Sequence, residues 1–235
     1  MDRLEIAPGL WVDARRAVWL ARERTLVVTD LHLGYAWAQR QRGALLPLAD
    51  VEEAGARLRR LQHEYRPETL VFLGDLVHGA HPADPIAAAL RVFLGELAAA
   101  SQLVLTLGNH DASVPAMAAR LALPLRCELV WRAGPHRLLH GDGTNDILEE
   151  TPPEGLVIMG HEHPVLLLAD DVATCARCPC FLEGDRRLML PAFSRWAAGV
   201  VAGREPFMSG IARTARWHTA VAIVGHRLLR VPWQA

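Results

Sequence analysis

Residues 25–34 read T-L-V-V-T-D-L-H-L-G, a short aliphatic and β-branched run that stops at Asp30 and His32. Such a run reads as a buried strand that delivers two polar side chains at its carboxyl end. In an open α/β sheet that end is where ligands gather. The pattern recurs along the chain. Residues 69–75 read T-L-V-F-L-G-D, and residues 103–111 read L-V-L-T-L-G-N-H-D. Residues 137–142 give R-L-L-H-G-D, and residues 156–163 give L-V-I-M-G-H-E-H. Five apolar strands therefore end in Asp, Asn or His.

Between these runs the spacing changes to that of helices. Residues 48–65 carry apolar positions at helical spacing behind a start signal at Asp50, residues 85–100 open on a proline, and residues 113–123 form a shorter third helix. Strand and helix alternate, which implies parallel strands joined by right-handed crossovers. Residues 35–47, with Tyr35, Trp37, Arg40 and Arg42, are expected to lie over the mouth of the site as helix or loop. Ahead of the first ligand strand, residues 3–20 alternate around Pro8-Gly9 and Asp13-Ala14 and predict a hairpin. The second half reads as strands at 126–131, 136–140, 156–159, 165–168 and 187–190, closed by a hairpin around Gly225. No internal repeat, linker or low-complexity tract interrupts the order.

The chain has 235 residues, 51% of them hydrophobic, which is enough for one substantial core, so a single domain over 1–235 is expected. A net charge of -1 excludes a global basic field of the kind that drives non-specific nucleic-acid binding, so any polyanion contact must be local. No apolar run reaches membrane-span length, and the N-terminal M-D-R-L-E-I-A-P-G lacks a signal-peptide layout, so a cytoplasmic location without membrane contact is expected. Four cysteines, three of them at Cys175, Cys178 and Cys180, do not make a disulfide framework. A zinc site would need a matching second pair, so they read as free thiols in a loop before the strand Phe181-Leu182.

Asp, His and Asn gathered at strand ends supply oxygen and nitrogen ligands, which suit Mn²⁺, Fe or Zn²⁺ better than an all-oxygen Ca²⁺ site. Asp30 and Asp75 would repel each other if unpaired, and a pair of divalent cations keeps both ionised. Two ions roughly 3.5–4 Å apart activate a bridging water for in-line attack on phosphorus. Asn109 offers a neutral oxygen to the second ion. Its neighbour His110 can reach past the metals to protonate the leaving oxygen, with Asp111 holding that imidazole in one orientation.

Together the motifs D30-L-H32, G74-D75, G108-N109-H110-D111, H140 and G160-H161-E-H163 resemble the calcineurin-like metallophosphoesterase superfamily. With R-Q-R-G-A-L-L-P, L-G-D-L-V-H and R-R-L-M-L-P-A-F-S-R-W-A-A-G added, the chain is most similar to the bacterial DNA ligase-associated metallophosphoesterases. The resemblance implies an α/β fold of the metallo-dependent phosphatase type, a four-layer αββα sandwich of two mixed sheets flanked by helices. It implies one ion on Asp30, His32, Asp75 and His163, a second on Asp75, Asn109, His140 and His161, and His110 as the acid. Mn²⁺ is the favoured metal. Where many superfamily members carry Asp three residues after the G-D aspartate, this chain has His78, read as lining the site rather than ligating. By the same resemblance, partners would be a nucleic-acid or nucleotide phosphoester and a DNA ligase or helicase in repair.

A single histidine at a strand end is more often a hydrogen-bonded structural residue than a ligand; seven polar groups in five ordered motifs make a metal site the reading. Arg57, Arg59 and Arg60, on a predicted helix with Glu52 and Glu53, read as a solvated helix face. Arg195, Trp196, Arg204 and Arg213 fall where the resemblance places a loop near the site, with a phosphate contact there by analogy and base stacking on Trp37 or Trp196. The leading expectation is a metal-dependent phosphodiesterase or nuclease. A phosphomonoesterase or small-nucleotide hydrolase is the enzymatic alternative, and a binding scaffold that has lost catalysis is the alternative of another class.

Overall fold

The computed structural model describes residues 1–79, 84–143, 150–169 and 175–232. The chain opens with a meander of β1 (Arg3–Ala7), β2 (Leu10–Asp13), β3 (Ala17–Leu20) and β4 (Thr25–Val28), each antiparallel to the last. The expected N-terminal hairpin is thus extended by a third strand before the chain reaches β4. From β4 onward the sheet is parallel. The order continues through α1 (Tyr35–Gln41), α2 (Asp50–Tyr65), β5 (Thr69–Leu73), α3 (Asp84–Ala98), β6 (Gln102–Thr106), α4 (Val114–Leu121) and β7 (Arg126–Glu128), giving a seven-stranded sheet in sequence order.

A second sheet is built from β8 (Trp131–Ala133), β9 (His136–Leu139), β10 (Val157–Met159), β11 (Val165–Ala169), β12 (Cys175–Gly184) and β13 (Arg187–Met189). After α5 (Gly210–Arg213) the chain adds β14 (Trp217–Val224) and β15 (Arg227–Pro232), a hairpin turning at Gly225. The central strands β9, β10 and β13 run parallel, and the outer pairings are antiparallel.

Strand parity sets the layers. Leu26, Val28, Leu70, Phe72, Leu103 and Leu105 point to one side and pack against Leu58, Leu61, Leu90, Leu94 and Met117 of the helices. Their alternates Val27, Val71, Leu73 and Val104 point the other way and meet Leu138, Ile158, Phe181, Leu188 and Val221 of the second sheet. The far face of that sheet, with Val157, Met159, Leu182 and Ala220, packs on Ile211, Ala212 and Trp217. Three apolar interfaces separate four layers, helices, sheet, sheet and a thin outer layer holding α5, because successive side chains on a strand face opposite ways. This is the metallo-dependent phosphatase architecture of two mixed sheets with flanking helices.

Four local expectations are corrected. Residues 126–131 are not one strand: β7 closes the first sheet, and Leu129-Val130 carry the chain across to β8 in the second. Cys175, Cys178 and Cys180 lie within β12, which pairs with β11 from Cys175 onward, and all three are free thiols. Cys178 and Cys180 share parity with Leu182 and are buried in the outer core, so burial, not metal, accounts for them. Asp50 opens α2, but its buried carboxylate accepts from Gly34 N (2.8 Å) and Ala36 N (3.4 Å), so it satisfies free amides at the start of α1. Arg59 is exposed on Glu96 as expected of a solvated face, whereas Arg57 is half-buried against Phe193.

Candidate metal centre

Strands β4, β5 and β6 are parallel neighbours in one sheet, and β9 and β10 are parallel neighbours in the other. Their carboxyl ends therefore bring the Asp30, Asp75, Asn109, His140 and His161 segments to one edge of the sandwich. There the backbone turns sharply. Asp30 (φ 53), His32 (φ 47), Asp75 (φ 48), His161 (φ 72) and His163 (φ 50) all adopt the left-handed region. That conformation costs a non-glycine residue about 1–3 kcal/mol and persists where the surroundings over-determine it, as at ligand clamps. His161 and His163 are thus aimed by two left-handed turns beyond β10, not by strand alternation. Between them Glu162 points inward, fully buried, and accepts from Met208 N (2.8 Å) and Ser209 N (2.7 Å). It ties the His161–His163 loop to the start of α5.

Glycines permit the close approach. A Cβ on Gly108 would lie 2.5 Å from Asp75 Oδ1, and one on Gly74 (φ 73) would fall on the His140 ring. Both sites are closed to any larger residue.

The side chains form two groups that share Asp75. In the first, His163 Nε2 lies 3.2 Å from Asp30 Oδ1 and 3.4 Å from His32 Nε2, and His32 Nε2 lies 3.8 Å from Asp75 Oδ2. In the second, His140 Nε2 lies 3.6 Å from Asp75 Oδ1, 3.2 Å from Asn109 Oδ1 and 3.1 Å from His161 Nδ1. All seven expected ligands are brought together, and the two oxygens of Asp75 face different groups.

Backbone carbonyls orient two of the rings. His140 Nδ1 sits 2.9 Å from Leu73 O, and His163 Nδ1 sits 2.7 Å from Ala198 O, so each donates there and presents Nε2 to the centre. Asp30 Oδ1 and His32 Nδ1 are buried without a hydrogen bond. The His163 ring lies against that carboxylate oxygen, with Nε2 3.2 Å away, so this buried anion is offset by imidazoles that could equally be metal ligands.

The electrostatics describe a site that holds protons where a cation would bind. Burial would raise Asp30, but His163, His140 and His32 outweigh it and hold the carboxyl well below the usual range. Burial raises Asp75, opposed by His140. Burial also works against the charged His163 ring, yet Asp30 and the Ala198 carbonyl overcome it and push the ring up to about 9. His32 is lowered to about 3, chiefly by burial.

His110 lies at the rim, its side chain 35% exposed, with Nε2 at 3.9 Å from Asp75 Oδ2. Its Nδ1 accepts from Gly79 N (3.3 Å), which leaves the proton on Nε2, facing the centre. His78 stacks on His110 at 5.7 Å and meets the edges of His32 and Tyr35, lining the site as expected.

The structure does not place Asp111 on the His110 imidazole. Asp111 is fully buried and accepts from Leu76 N and Gly108 N, both at 3.0 Å, so it clips the β5 and β6 loops together. Adjacency in sequence misled here, because the turn at 108–111 sends neighbouring side chains in opposite directions. Asp111→Asn is expected to destabilise the fold by about 1–3 kcal/mol, since the amide sets a donor against an amide N–H. Thermal unfolding checks this, and an unchanged Tm would rule the clip out.

Residues 23–134 match the family model for calcineurin-like phosphoesterases. No curated protein matches the chain significantly. Among solved structures, a nuclease MPE from Pseudomonas putida is similar at TM-score 0.71 and 25% identity, over 97% of this chain and 98% of that one. Yfce, a phosphoesterase from E. coli, aligns over 88% of this chain and 97% of its own at TM-score 0.43 and 18% identity.

Proposed function

We propose that this chain, whose residues 23–134 match the family model for calcineurin-like phosphoesterases, is a dinuclear metal-dependent phosphodiesterase or nuclease acting on nucleic acid or nucleotides. The observation that carries the reading is the shared carboxylate of Asp75, one oxygen turned to each group of donors. In this reading Asp30, His32, Asp75 and His163 hold one ion, and Asp75, Asn109, His140 and His161 hold the other. Borderline nitrogen and hard oxygen donors in that mixture suit Mn²⁺, with Fe or Zn²⁺ also accommodated. When bound, such ions supply an activated water and neutralise charge on the phosphoryl group.

The chain's own contribution is orientation and a proton. The Leu73 and Ala198 carbonyls fix two imidazoles, Gly79 N fixes the tautomer of His110, and His110 Nε2–H is the proton delivered to the leaving oxygen. We place the whole chain in one domain and the protein in the cytoplasm. No helix among the described residues is long and apolar enough to cross a membrane. The ligase-associated resemblance would set it beside a DNA ligase or helicase in repair, for which co-purification is the test.

The likeness to a nuclease favours polymeric diesters over the phosphomonoesterase reading. Comparing Mn²⁺-dependent rates on bis-p-nitrophenyl phosphate, p-nitrophenyl phosphate and an oligonucleotide decides between them. Monoester turnover exceeding both diesters would overturn the proposal, and bound metal without turnover on any of them would favour a scaffold.

Metal uptake should release protons. His163, raised from an ordinary 6.5 to about 9, is charged at pH 7, and a ligand nitrogen must give up its proton. Apparent metal affinity should therefore climb with pH until about 9. In the metal-free protein the sign is opposite: the stability from charged His163 beside Asp30 is full below 6.5 and lost as pH rises through about 9. Because His140 and Asp75 are raised as well, calorimetry of Mn²⁺ binding at pH 7 in buffers of different ionisation heat should show net proton release on binding. Heats independent of buffer would contradict the assignment.

A further inference from the structure

A cavity of about 760 Å³ adjoins the metal centre. Its lining includes Leu31, the residue between Asp30 and His32, and Ser194, whose amide donates to the backbone carbonyl of Asp30 (3.1 Å). Six arginines line it. Arg15 is paired with acids and Arg177 donates to Gly199 O (2.9 Å), which leaves the other four, Arg16, Arg57, Arg60 and Arg195. Arg16 donates to Ala192 O (2.9 Å) and Ser194 O (2.5 Å), and Arg57 donates to Phe193 O with its guanidinium 3.5 Å over the Phe193 ring. Carbonyls and a ring face hold these groups in place without neutralising them.

Counter-charge is scarce. The cavity wall holds two carboxylates, Asp50 and Glu53, and the buried Asp50 is already engaged by the Gly34 and Ala36 amides. Among the described residues none of the four arginines forms an ion pair with an acid, whereas Arg15 beside them is paired to Asp13 (2.5 Å) and Glu64 (2.7 Å). Burial and mutual repulsion lower Arg57 to about 9 and Arg16 to about 10. Two further donors, Arg57 Nε and Trp196 Nε1, are buried with no acceptor. Like charges brought together beside idle donors are stabilised only when an anion joins them.

We propose that this cavity holds the strand flanking the cleaved bond, its backbone phosphates paired with Arg16, Arg57, Arg60 and Arg195. The inference rests on the reading of the metal centre as one that acts on nucleic acid. Four cationic groups in a space of this size suit successive phosphates on one chain better than a single small anion. Leu31 and Ser194 set the cavity beside residues 30–32, from which the flanking strand would have to run on to the centre. A net charge of -1 on the whole molecule and a basic cluster here are compatible, because the polyanion contact is local.

Arg60 and Arg195 are exposed, so changing them spares the folded core. The test uses the full chain loaded with Mn²⁺ and compares kcat/KM on oligothymidylate with kcat/KM on bis-p-nitrophenyl phosphate across a KCl series. For Arg60→Gln/Arg195→Gln the oligonucleotide-to-small-diester ratio should fall at least tenfold, mainly through KM. The log–log salt slope should flatten by about 0.7 for each phosphate that the variant no longer neutralises. Arg60→Lys/Arg195→Lys should recover most of the slope. A wild-type ratio and slope in the Gln variant, including equal loss on both substrates, would overturn this inference alone. A wild-type enzyme that turns over the small diester but not the oligonucleotide would overturn the nucleic-acid reading as well.

Discussion

Asp75→Ala is expected to leave at most one metal ion per chain and to lower diester turnover by about 10⁴-fold or more, some 5.5 kcal/mol of transition-state stabilisation. The reason is geometric. Asp75 Oδ2 faces His32 at 3.8 Å and Oδ1 faces His140 at 3.6 Å, so one carboxylate serves both groups. Without it the first group retains a single anion, Asp30, and the second retains only the neutral donors of Asn109, His140 and His161. Oδ1 also accepts from His110 N (3.0 Å), so the alanine variant could disturb the 108–111 turn. Asp75→Asn keeps an acceptor oxygen and the side-chain volume, and separates loss of charge from collapse of the loop. Metal analysis of the Mn²⁺-reconstituted variants with parallel kinetics is the measurement. Two ions per chain and more than a tenth of wild-type turnover in either variant would defeat the shared-carboxylate assignment.

His110→Ala is expected to lower kcat by about 10²–10⁴-fold, the usual contribution of a positioned general acid, while both ions stay bound. The loss should be larger on a nucleotide diester, whose alkoxide leaving group needs a proton, than on bis-p-nitrophenyl phosphate, whose phenolate leaves readily. A competing role is visible in the geometry, because His32, Asp75 and His110 also offer donor atoms close enough to share one ion. In the proposed reading His110 is the acid because its side chain is 35% exposed, against 7% for His32 and 4% for Asp75, as suits a group that meets substrate rather than an ion in the buried cluster. If His110→Ala loses an ion along with its activity, it is a ligand and not the acid.

Much of this site was legible in the chain itself. The runs at residues 26–28, 70–73 and 103–105 are apolar at every position, which marks strands buried on both faces, and each is followed within a few residues by polar ones. Parity within those runs foretells which residues face the helices and which face the second sheet. Other residues were opaque because their partners are remote in sequence. Asp50 caps α1 across 16 residues, Arg57 donates to Phe193 O across 136, and Glu162 holds amides 46 and 47 residues away. Glu162 gives one local hint, a carboxylate between two candidate ligands. Leu129-Val130, where the chain changes sheets, gives none.

By itself the sequence determined the strands, their apolar faces and the types of donor gathered at their ends, because side-chain alternation and hydrophobic burial act over a few residues. Tertiary structure alone decided which Asp75 oxygen faces which group, that Asp111 binds backbone rather than His110, and that Arg16, Arg57, Arg60 and Arg195 line one cavity. Those outcomes depend on where β4, β5 and β6 end relative to β9 and β10, and that register is set by two sheets packing face to face.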